Sequence, residues 1–86
     1  EVYGLTSQVR RSAVSIPSNI AEGSSRSGTK EFLQFLSIAR GSAAELETQI
    51  ILASQLGYCV EEDILAELTS IRQMINALMR SLKEKL

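Results

Sequence analysis

Apolar side chains recur at three- and four-residue intervals along three stretches of this chain, and no stretch alternates as a half-buried strand would. In the first, Leu5, Val9, Ala13, Ile16 and Ile20 fall within about 80° of one another on a helical wheel. Pro17 lies inside this stretch, where it removes the bond to the carbonyl of Ala13 and crowds the preceding turn. Either one kinked helix runs through, or a new helix begins at Pro17. Because Ile16 and Ile20 stay in phase with Leu5 and Val9, the pattern favours a kinked, continuous helix over about 4–22. The second stretch places Phe32, Phe35, Leu36, Ala39, Ala43, Leu46, Ile50 and Ala53 on one face and predicts a helix over 29–56. Thr29 is its expected N-cap, Glu31 suits its positively polarised first turn, and Gly57 is a left-handed stop. The third spaces Ile64, Leu68, Ile71, Ile75, Leu78 and Leu82 as a heptad seam and predicts a helix over 61–85. Glu61, Glu62 and Asp63 stand at its start and Lys83 and Lys85 at its end, as the helix dipole favours.

Connectors of about four to six residues force consecutive helices to lie antiparallel. Folding the third helix onto the second sets Leu46 level with Ile71, Ala53 with Ile64, and Ala39 with Leu78. Folding the first onto the second sets Ile16 near Leu36 and Val9 near Ala43. Every pairing is apolar on apolar, so the expectation is an all-α, up-down bundle forming a single domain over 1–86. With 86 residues the core is marginal, and oligomerisation is one usual remedy.

Two polar patterns need a reason. Gln8, Arg11, Ser12, Ser15, Asn19 and Glu22 run along one flank of the first helix. They read as a half-solvated shoulder or as a hydrogen-bonding strip facing another helix or subunit. Antiparallel pairing brings Glu22 close to Lys30, Arg10 or Arg11 near Glu45, and Glu47 within reach of Arg72. On the second helix, Ser37, Gly41, Ala44 and Thr48 form a small-residue groove opposite the core face, flanked by Leu33, Ile38, Ile51 and Leu52. A mid-helix glycine costs about 1 kcal/mol against alanine and so tends to sit where another backbone comes close. A helix apolar on nearly all sides calls for more partners than two, which points to a subunit contact or a further helix.

The stretch GSSRSGTK at 23–30 imitates a phosphate-binding loop, Gly-x-x-x-x-Gly-Lys-Ser/Thr, with its last two residues exchanged. Such a loop needs a strand to deliver the chain into the turn, and here a helix leads in, so a connector is the simpler reading. A weaker form survives, in which Arg26, Lys30 and the helix amides hold one phosphate of a larger ligand. The chain has no histidine and one cysteine, which removes a Ser-His-Asp triad, a Glu-x-x-His di-metal site and a zinc site. Glu45 and Glu47 point to different helix faces, so they are no acid–base pair. Neither catalysis, a cofactor, a metal nor a small-molecule substrate is expected. Cys59 reads as a small buried thiol, and its solitude suits a reducing cytoplasm. No apolar run is long enough to span a membrane. The net charge is −1, with no global basic field for nucleic acid.

From Leu5 to Tyr58 the chain strongly resembles the bacterial family of 23S ribosomal RNA intervening-sequence proteins. The matching motifs are LTSQ-x-R-R from Leu5, S-I-P-S-N-I-A-E-G at 15–23, K-E-F at 30–32 and G-S-x-x-E-L-E-T-Q at 41–49. The resemblance implies a four-helix bundle whose first helix precedes Glu1, so that this chain supplies helices two to four. It implies a homopentamer around an axis, and distant kinship with the nucleic-acid-binding accessory protein of diversity-generating retroelements. It implies no agreed activity. Two roles follow as expectations: a non-enzymatic scaffold whose partner is itself, using Ser37, Gly41, Ala44 and Thr48 with the polar strip, or a ring binding RNA or DNA through Arg10, Arg11, Arg26, Lys30 and Arg40.

Overall fold

The computed structural model describes the backbone of residues 2–86 and the side chains of residues 4–86. Three helices follow in order, α1 (Val2–Ser24), α2 (Thr29–Gln55) and α3 (Ile64–Lys83), and no strand occurs among the described residues. α1 continues through Pro17 without interruption, the one of the two readings that the phase of its apolar positions favours. The cap of α2 differs from expectation: Gly28 is the N-cap, in extended conformation, and Thr29 is the first helical residue. Glycine serves at that position without a side-chain bond, and its carbonyl accepts from the Phe32 amide at 3.1 Å. Gly57 ends α2 at φ +92°, the left-handed geometry that favours glycine. α3 starts later than expected. Glu61, Glu62 and Asp63 lie ahead of it, with the Ile64 amide donating to the Glu61 carbonyl at 3.3 Å.

α2 is the centre of the molecule. α1 packs on one side of it and α3 on the other, and among the described residues α1 and α3 do not pack on each other. The core is Ile16 from α1, Leu36, Ala39, Ala43, Leu46 and Ile50 from α2, and Leu68, Ile75 and Met79 from α3. Between α2 and α3 the register follows the sequence. Arg72 Nη1 donates to Glu47 Oε1 at 2.8 Å, and Arg40 Nη1 to Asn76 Oδ1 at 3.0 Å. Between α1 and α2 the register slides. Ser15 lies opposite Ser42 and Gly23 against Phe35, which sets Ile16 near the level of residues 41–42 along α2 and away from the expected level of Leu36. Val9 likewise shares a depression with Ile50 rather than lying at the level of Ala43.

The outer helices are turned from the expected faces in a matching way. On α3 the buried residues are Leu68, Ile75 and Met79, rotated by roughly 40° from the centre of the heptad seam. Leu78, expected to face Ala39, is 38% exposed, and Met79 takes the buried place. On α1 the burial shifts towards the polar flank, so that Ser12 is buried and Ala13 is exposed. Each stripe points to the axis of a bundle, whereas each helix has one neighbour and turns partly towards it. The unused halves of both stripes face each other across an open apolar groove of about 730 Å³. Ile16, Pro17 and Ile20 line one wall, Ile71, Met74 and Leu78 the other, and Leu36 and Leu46 of α2 the floor. The molecule is correspondingly flat, at 46 × 22 × 13 Å between Cα atoms.

Candidate functional site

The polar flank of α1 and one edge of α2 enclose a second cleft, of about 380 Å³. Its small hydroxyl residues are Ser12, Ser15 and Ser42, of which Ser12 and Ser42 are each 7% exposed. Helical spacing puts Ser12, Ser15 and Asn19 on one side of α1, so the hydroxyls meet α2 rather than solvent. The Ser15 and Ser42 hydroxyls are 2.7 Å apart, and Asn19 Nδ2 donates to Ser15 Oγ at 2.9 Å and to the Ser15 carbonyl at 2.8 Å. Gln8, Arg11, Glu45 and Gln49 line the rest of the cleft. Arg11 and Glu45 share it, as antiparallel pairing predicts, but form no ion pair. Gln49 Oε1 is buried and receives no hydrogen bond. Neither Ser42 nor Gln49 stood out in the sequence as a candidate; Ser42 sits four residues before Leu46 and reads as part of the core face.

Glu22 departs from its expected partner. It accepts from Arg26 Nη2 at 2.7 Å, one turn on, and leaves Lys30 exposed. Arg26 is also 3.9 Å from Glu31 and stacks over the Phe35 ring at 5.2 Å. With two carboxylates around it, Arg26 does not present a free cation to a phosphate at the start of α2. The other basic candidates lie apart: Arg10 and Arg11 are exposed on α1, and Arg40 is engaged with Asn76. Gly23, the first glycine of the loop-like motif, is buried within α1, where an added Cβ would lie 2.7 Å from Phe35 Cβ. It marks close helix packing.

On the outer face of α2, Ser37, Gly41 and Thr48 are exposed and Ala44 is half-buried. Gly41, Ala44 and Thr48 border a shallow depression together with Glu45 and Gln49, which therefore open onto both hollows. Of the flanking apolar residues, Ile38 is 52% exposed, Leu52 46% and Ile51 42%, whereas Leu33 packs against the core. Cys59 is exposed, contrary to expectation, because the connector between α2 and α3 lies at the end of the molecule rather than over its core. No cluster of metal-binding side chains occurs among the described residues, and no described helix is long and apolar enough to cross a membrane.

The chain has been compared with known proteins. A search of curated proteins finds no match. The family model described as 23S rRNA-intervening sequence protein matches residues 1–79. That span takes in all of α1 and α2, both hollows and α3 as far as Met79, so the chain belongs to the family of 23S rRNA-intervening sequence proteins.

Proposed function

We propose that this chain is a non-enzymatic scaffold that completes a four-helix bundle and assembles with copies of itself, as a pentamer by the family resemblance. The fourth helix lies in the groove between α1 and α3 and is supplied by chain preceding Glu1. The observation that carries the assembly is the outer face of α2. There Ile38 stands exposed within a turn of Gly41, where an added Cβ would meet nothing within 4 Å, and Ile51 and Leu52 stand exposed about three turns further along. Exposed apolar residues along a helix that also admits a close backbone suit a subunit contact. The lone exposed Cys59 suits a reducing compartment such as the cytoplasm.

Light scattering coupled to size exclusion tests the assembly. A stable oligomer at micromolar concentration is expected, and a monomer refutes it. Gly41→Ala sharpens the test. Alone, the chain gains up to about 1 kcal/mol from the better helix former; across a close subunit contact the added methyl weakens association. The nucleic-acid reading has less behind it. Arg26 and Arg40 are already engaged, and the net charge of −1 supplies no attraction at long range.

A further inference from the structure

The two outer helices are not held alike. α1 is fixed along α2, with Gly23 closed against Phe35, Ser15 bonded to Ser42 at 2.7 Å and Ile16 in the core. α3 rests on α2 through Leu68, Ile75 and Met79, and its polar links, Arg72 to Glu47 and Asn76 to Arg40, lie on one edge. Counted round the helix, that edge is about 160° from Met74 and Leu78, which face the groove. Each link runs through an arginine, a long side chain of many rotamers, so it tethers α3 without fixing its angle. On the groove side, among the described residues, α3 touches nothing of α1.

We propose that α3 is a gate, which rolls about its polar edge between the open groove described above and a closed position on α1. Its apolar stripe is wide enough for two neighbours. Ile71 and Leu78 lie roughly 70° round the helix from Leu68, Ile75 and Met79, close to the angle that a triangle of three packed helices requires. The heights also match. Ser15 lies opposite Ser42, which puts Pro17 opposite Arg40, and Arg40 is bonded to Asn76. Rolling inwards therefore lays Leu78 beside Pro17 and Ile20, and Ile71 beside Val9 and Ala13. Leu78 is 38% exposed and Ala13 and Pro17 stand exposed opposite, so closure takes apolar surface out of water. Glu67 borders the groove on the outer side of this contact and stays in water. The closed gate covers the surface that an added helix needs, so the groove is open to one only while α3 stands away. This inference uses the groove alone and is independent of the assembly proposed above.

Pulsed EPR between spin labels at Ser18→Cys and Ala77→Cys, exposed positions outside the groove lining, reads the gate. The chain carries Cys59→Ser and is diluted with unlabelled chain, so that only distances within one copy count. A distance shorter than that of the open structure by about 5 Å or more is expected, alone or beside the open one. Leu78→Glu and, from the opposite wall, Ala13→Glu are each expected to remove the shorter distance, because closure would bury the new carboxylate. Circular dichroism checks that the helices persist; if Leu78→Glu loses them, Ala13→Glu alone decides. The open distance alone in the wild type overturns the gate, and so does a short distance that Ala13→Glu leaves in place. Either result leaves the oligomer standing, since light scattering reads that separately.

Discussion

At Gly23 the first two helices come as close as their atoms allow. An added methyl would meet Phe35 Cβ at 2.7 Å and Phe32 Cδ1 at 2.9 Å. The Phe35 contact is the harder one, since a Cβ moves only with its backbone. Alanine favours a helix over glycine by about 1 kcal/mol, but forcing a methyl into a closed contact costs typically 1–3 kcal/mol. Gly23→Ala is therefore expected to lower stability, read as a fall in the urea midpoint with an unchanged slope. The sequence read Gly23 as part of a connector and Gly41 as a place where another backbone comes close. Both lie within helices, yet one faces Phe35 and the other faces open space. Only the register of α1 against α2 separates the two cases.

Between elements, polar side chains set the register that apolar ones leave loose. Sliding α1 along α2 by about a turn still sets apolar against apolar, so the stripe alone could not place Ile16. The Ser15–Ser42 bond of 2.7 Å can form at one offset only. The offset of α2 against α3 was legible because Glu47 and Arg72 carry opposite charges at the edge of the core, and the structure joins them at 2.8 Å. With side chains 27% and 38% exposed, that pair lies in the surface range. A double-mutant cycle of Glu47→Gln and Arg72→Met is expected to give a coupling of about 0.5–1 kcal/mol. The coupling should shrink as salt is raised from about 0.1 M to 1 M. The face that α3 buries was less legible, because its seam marks the axis of a bundle and the helix turns towards its one neighbour.

For the molecule as a whole, thinness is the informative property. Its shortest extent between Cα atoms, 13 Å, is well below its 22 Å width, and its radius of gyration of 14.4 Å exceeds the about 12 Å of a compact domain this long. The surplus reflects the 46 Å length of the molecule, and its narrow cross-section leaves the groove uncovered, with Met74 70% exposed and Leu78 38%. Met74→Glu is expected to change the stability of the 86-residue chain by less than about 0.5 kcal/mol, as for a surface site. In a chain extended by the proposed fourth helix, the same change is expected to cost about 2 kcal/mol or more, because it would bury a carboxylate under that helix. Equal, small effects in both chains would refute the fourth helix. The helical class and the three segments were plain from spacing alone, while the position of the gap needed the rotations of α1 and α3.

Because among the described residues α1 and α3 each pack on α2 and not on each other, the molecule has a mechanical hierarchy. Either outer helix can detach while the opposite pair stays docked, so opening proceeds from the margins and the middle helix is the last to lose its partners. Amide exchange measured under native conditions should then rank the helices, with the slowest protons around Leu36, Ala39 and Ala43 and faster ones along both outer helices. Covering the groove would tie the two margins to each other and narrow that spread, turning a hinged sheet of rods into a closed ring of four.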